Sequence, residues 1–146
     1  MSTFKSRNSM MFTAVLILVL AIFGYGIYKI LVSENFGFNT DTLIPVSIMT
    51  LTAVFLLSLF VNTKYELSDN YLSYTSGPFH GKIAIDSIKK VKVNTTRYVG
   101  FKPALATKGL VIYYNAFDDI YISPNSNESF VKELLELNPK IEVFEM

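Results

Sequence analysis

Apolar positions along this chain gather into two long uninterrupted runs and then thin into a short alternating pattern. Residues 10–28 and 43–61 carry no charged side chain and are dominated by Leu, Val, Ile, Phe and Ala. At ~1.5 Å per residue each run is long enough as a helix to cross a hydrocarbon layer of ~30 Å. A helix buried in a soluble core would show a polar face along its length, and neither run offers one. The pattern therefore predicts two membrane-spanning helices at about 10–32 and 43–61, joined as a hairpin by a short polar loop. Lys5 and Arg7 ahead of the first run also suit a signal peptide, but the run exceeds a signal core, lacks a small-x-small cleavage site and is soon followed by a second run. Pro45 falls in the first turn of the second helix, with Asp41 and Thr42 as its caps. Ser47, Thr50 and Ser58 share a helical face that can pack against Gly24 and Gly26.

After Val61 the period changes to short runs rich in Tyr, Val, Ile and Thr, punctuated by turn residues, as in an antiparallel sheet. Six strands are expected, over 64–67, 71–75, 80–85, 90–94, 109–114 and 120–123, with a single turn at 86–88. In the fifth, Val111 and Tyr113 alternate against Leu110, Ile112 and Tyr114; in the sixth, Ile120 and Ile122 share a face. A helix is expected from near Asn125, where Asn125 and Glu128 have capping-box spacing, and Asn138-Pro139 ends it. Its stripe of Phe130, Leu134 and Leu137 needs an apolar surface and finds one only on the sheet. The predicted fold is a membrane α-helical hairpin, residues 1–61 with the amino-terminal tail, followed over 62–146 by a small, mainly β α+β domain.

Charge adds an orientation. Lys5, Arg7 and Lys64 flank the hairpin, whereas the loop 33–42 contains no Lys or Arg. Retention of cations on the cytoplasmic side then places both termini in the cytoplasm of a multi-pass protein of the cytoplasmic (inner) membrane. Lys29 is discordant, and its stem lets the ammonium snorkel to the outer interface beside Tyr25 and Tyr28. The net charge of +1 hides a division: residues 64–108 hold eight Lys and Arg against three Asp and Glu, whereas residues 109–146 hold two against seven. The acidic second half opposes nucleic-acid binding. With no cysteine, disulfides, thiolate metal ligands and thiol nucleophiles are excluded.

Several stretches together resemble a known family: Tyr65-Glu66-Leu67-Ser68-Asp69-Asn70-Tyr71-Leu72, Ser76-Gly77-Pro78-Phe79, Ile85-Asp86-Ser87-Ile88, Ala104-Leu105-Ala106 before Leu110-Val111-Ile112-Tyr113-Tyr114, and Ile122-Ser123-Pro124 before Phe130. They are similar to the bacterial pleckstrin-homology-like (PH-like) domains, specifically the short YyaB-like membrane-anchored group, over residues 62–143. One departure is Lys102-Pro103-Ala104-Leu105-Ala106-Thr107, where similar proteins carry a serine beside the Ala–Leu pair. The resemblance implies an antiparallel sheet or partial barrel capped by one carboxy-terminal helix. It implies an interaction module rather than an enzyme, with envelope stress or bacteriocin self-immunity as the setting.

Candidate chemistry is sparse. His80 is the single histidine, with no second ligand at metal spacing nearby, and reads as a surface or packing residue. Asp118-Asp119 lies in a predicted hairpin turn, where aspartates cap backbone amides. No phosphate loop and no nucleophile–base pair is recognisable, so no catalytic residue, cofactor or metal is expected. The suggestive group is Lys89, Lys90, Lys92, Arg97 and Lys102, which a tethered domain could present to anionic headgroups within a Debye length, or which could be ordinary solvated strand charge. Expected partners are membrane lipids and a protein of unspecified identity. The competing expectation is a structural or assembly subunit, a homo-oligomer through the Ser47, Thr50 and Ser58 face with a sheet edge recruiting a partner.

Overall fold

A computed structural model describes residues 2–33, 37, 39–97, 100 and 102–145. Two helices, α1 over Met10–Leu31 and α2 over Thr40–Val61, run antiparallel; Phe12 in the first turn of α1 stacks on Phe60 in the last turn of α2. Both are long and apolar enough to cross a membrane, with mean hydropathies of 2.4 and 2.3. Of the connecting loop, residues 34–36 and 38 lie outside the described residues.

Three expectations about α2 need correction. The helix starts at Thr40, because Asn39 is its N-cap and accepts the Thr42 amide through Oδ1 at 3.1 Å. Pro45 consequently lies in the second turn rather than the first, where its missing N–H leaves the Asp41 carbonyl without a helical donor. Of the two glycines, Gly26 faces α2, and a Cβ there would come within 2.7 Å of Met49 Cε, while Gly24 faces open space. Ser47 and Thr50 are exposed rather than packed on α1; the Thr50 hydroxyl donates to the Val46 carbonyl at 2.8 Å.

Among the described residues, eight strands follow or precede the hairpin, two more than the alternating pattern predicts. Strands β1 (Ser2–Lys5), β2 (Lys64–Leu67), β3 (Tyr71–Ser76) and β4 (Phe79–Ala84) form an antiparallel sheet in that order. A one-turn 3-10 helix, Ile85–Ser87, leads to a second sheet of β5 (Ile88–Thr95), β6 (Gly109–Tyr114), β7 (Asp118–Ile122) and β8 (Glu142–Glu145), ordered β7-β6-β5-β8. Strand β8 runs parallel to β5. Strand β1 was hidden from pattern reading because Ser2–Lys5 holds a single apolar residue, Phe4, and its partner β2 lies beyond the hairpin.

Helix α3 (Asn127–Leu137) inserts Phe130 and Leu134 fully into the core between the sheets, with the Phe4 ring edge-on to Phe130 at 5.1 Å. Leu110, Ile112, Ile120 and Ile122 meet them from β6 and β7, on the faces that the alternation predicts. The helix cap is one residue later than expected: Ser126 Oγ accepts the Ser129 amide at 3.2 Å, while Asn125 Oδ1 accepts the Ser126 amide at 3.1 Å. The β6–β7 turn is also tighter than expected, since Asn115 adopts φ 51° and β7 begins at Asp118.

Candidate functional site

Strand directions divide the domain into an end beside the helices and an end remote from them. Chain passes from α2 through Asn62 and Thr63 into β2, and from β1 through 6–9 into α1, so both crossings lie at the same end. They are bonded to each other and to the domain. Ser6 N–H donates to the Thr63 carbonyl at 3.0 Å, Arg7 N–H to the Ser123 carbonyl at 2.7 Å, and the Arg7 guanidinium to the Thr107 and Lys108 carbonyls at 2.7 and 2.9 Å.

Beneath these crossings is a hydroxyl cluster. Ser6 Oγ and Ser123 Oγ lie 3.0 Å apart, the Leu105 amide donates to Ser123 Oγ at 3.2 Å, and the Ser9 amide donates to the Leu105 carbonyl at 3.1 Å. The buried Tyr65 phenol donates to the Pro103 carbonyl and accepts the Ser123 amide. Burial pushes the Tyr65 hydroxyl above the ordinary tyrosine pKa of 10.0. On the α2 side, Thr63 Oγ1 donates to the Leu59 carbonyl at 2.6 Å and sits 3.0 Å from Ser76 Oγ, so a helix-terminal carbonyl is satisfied by a residue that also grips β3. The hydroxyls beside the Leu105 amide come from Ser6 and Ser123, at 3.3 and 3.2 Å.

The five cations are not brought together. Arg97 and Lys102 line a groove of about 260 Å³ beside the first turn of α1, with Met11, Phe12, Leu105 and Tyr121. Arg97 also pairs with Asp119. Lys90 and Lys92 point from the outer face of β5 toward Tyr113 and Phe144; Lys90 lies 3.5 Å from Glu142 and 5.7 Å from the Phe144 ring centroid. Lys89 and Lys90 border a second groove of about 360 Å³ with Tyr113, Tyr114, Phe117 and Asp118, at the remote end. At ~3.3 Å per strand residue, Lys89 stands roughly 20 Å from the Thr95 end of β5, twice the ~10 Å Debye length. Neighbours in sequence are thus far apart in their approach to the helices.

His80 is exposed on β4, its Nδ1 3.4 Å from the Pro78 carbonyl. Asp118 accepts from the Asn115 side-chain amide, Nδ2, at 2.9 Å across the turn, a side-chain contact rather than the backbone cap expected of it. Among the described residues, no three His, Asp or Glu side chains gather as a metal site would require. One side chain that the alternating pattern did not single out stands in the remote groove beside Tyr113: Phe117, at 98% exposure on the turn tip. A bare aromatic in a turn was the available signal.

Two helices apolar enough to span a membrane, joined at one end to a small, mainly β domain, fit a membrane protein that carries a PH-like domain. The chain belongs to the bacterial PH domain family, whose model matches residues 63–138, from the start of β2 to the end of α3. It is similar to the uncharacterised protein YyaB of Bacillus subtilis (strain 168), with 28% identity over 98 residues, 66% of this chain and 67% of that protein. No solved structure matches it.

Proposed function

We propose that this is a non-enzymatic protein of the cytoplasmic membrane, with both termini in the cytoplasm, that holds its PH-like domain in a fixed pose so that the remote rim meets a protein partner. The observation that carries this reading is the double fastening of the domain to the hairpin through Ser6, Arg7 and Thr63, which leaves Lys89, Lys90, Tyr113 and Phe117 at the opposite end. Exposed aromatic and cationic side chains around a groove supply the anchors that protein interfaces favour. Lipid contact belongs instead to Arg97 and Lys102, which border the groove beside Met11 and Phe12. Envelope stress or bacteriocin self-immunity, the setting implied by family resemblance, is where such a partner would be sought.

A photoreactive residue at position 117 of the full-length protein in native membranes tests this. A discrete adduct is expected that disappears when Lys89 and Lys90 are reversed to Glu, with membrane integration unchanged. The assembly alternative, favoured by the exposed Ser47 and Thr50 of α2, predicts self-crosslinking at position 50 and none at 117.

A further inference from the structure

The β3–β4 turn, Ser76-Gly77-Pro78-Phe79, is pressed against the side of α2. Gly77 has φ 55°, and a Cβ at this position would lie 3.0 Å from both Ser58 Oγ and Leu59 Cδ2 and 3.2 Å from the Leu59 backbone nitrogen. The Phe79 ring meets the Phe55 ring edge-on, with centroids 6.3 Å apart. Phe55 lies six residues before the end of α2, or ~9 Å along the axis. The 22 residues of α2 span ~33 Å, only about 3 Å more than a ~30 Å hydrocarbon layer. Even if all the excess emerged on the domain side, the ring contacted by Phe79 would still sit roughly 6 Å below the hydrocarbon boundary.

The turn is built for that depth. Pro78 contributes no backbone donor, and Pro78 and Phe79 are exposed at the apex, Phe79 at 49%. The polar atoms at its base, Ser76 Oγ and Thr63 Oγ1, are bonded to each other, and Thr63 Oγ1 also bonds the Leu59 carbonyl. Lys64, the residue after Thr63, stands at the helix-proximal start of β2 and pairs with Glu66 at 2.8 Å.

We propose that Gly77-Pro78-Phe79 is a third membrane-inserted element, a wedge from the folded domain that enters the glycerol and upper acyl region of the adjoining leaflet beside Phe55. The occupant of the apolar surface formed by Phe55, Pro78 and Phe79 is phospholipid, because this surface continues the apolar wall of α2. The inference rests on reading α1 and α2 as membrane-spanning. It makes the bilayer a third point of support that sets the tilt of the domain, in addition to its two covalent crossings.

The chain contains no Trp and no Cys, so single probes report without background. Phe79→Trp, Phe55→Trp and Phe117→Trp are each reconstituted as full-length protein in vesicles containing phosphatidylcholine brominated at shallow or deep acyl positions. Phe79→Trp should show blue-shifted emission, quenched several-fold more by the shallow than by the deep lipid; Phe55→Trp should be quenched, and Phe117→Trp should resemble tryptophan in water. Quenching of Phe55→Trp with none of Phe79→Trp overturns the wedge and leaves the spanning reading intact. No quenching of either overturns both. If Phe79→Trp does not fold, a nitroxide on Pro78→Cys takes its place: preferential relaxation by oxygen supports the wedge, and preferential relaxation by an aqueous nickel chelate overturns it.

Discussion

Tyr65 carries a larger share of the junction than its single hydroxyl suggests, since that oxygen joins β2, the segment before β6 and the residue after β7. Tyr65→Phe leaves the buried Ser123 amide without its acceptor and should destabilise the domain by about 1–3 kcal/mol in a thermal or denaturant titration. Its pKa is raised by burial, so the folded state holds the proton more tightly than the unfolded chain does. The associated stability is complete below about pH 10 and is lost as pH rises through the higher folded value. Unfolding midpoints should therefore fall above pH 10, less steeply in Tyr65→Phe. Gly77→Ala should cost at least the ~1–2 kcal/mol of a left-handed alanine, because the added methyl also meets Ser58 and Leu59. The need for glycine in a Ser-Gly-Pro turn is legible in the sequence; its second reason, contact with α2, is not, because Ser58 and Gly77 meet only in three dimensions.

Among the elements, those with strong periodicity were readable and those held by distant partners were not. The two apolar runs, the strands β2 to β7 and the Phe130/Leu134 stripe of α3 follow from period alone. Strand β1 has four residues and one apolar position, and it becomes a strand only because Phe4 pairs with Tyr65 and abuts Phe130. Phe4→Ala should accordingly cost about 3–5 kcal/mol, the range for a buried aromatic, although a tail residue would tolerate the change. Strand β8, following Asn138-Pro139, likewise depends on β5 for its hydrogen bonds. The cap of α3 was legible to within one residue, whereas that of α2 falls on Asn39, ahead of the expected Asp41 and Thr42. Ser126→Ala should lower the unfolding free energy by ~1 kcal/mol, and Asn125→Ala by less, because Ser126 accepts the Ser129 amide.

Across the whole molecule, sequence proximity suggested one basic patch, and strand geometry sets Lys89 and Lys90 in one groove and Arg97 and Lys102 in another, with Arg97 reaching Asp119 on the wall between them. A strand extends so fast that residues eight apart cannot share a small surface unless the chain turns back. The same reasoning governs how the domain can be isolated. A fragment of 62–146 lacks β1 and should expose the edge of β2 and the Phe130 ring, giving a species that associates in size-exclusion chromatography. Replacing residues 10–61 by a short Gly-Ser linker should restore a monomeric domain with a cooperative melt, since Ser6 and Thr63 are already in hydrogen-bond contact. Because β1 is synthesised some sixty residues before its partner β2, it must wait during translation until both hydrophobic segments have left the ribosome. With both helices spanning, as proposed, a nascent polypeptide that integrates only one of them strands residues 2–5 across the bilayer from the rest of the sheet. Such a misinserted molecule would leave the edge of β2 without its partner strand.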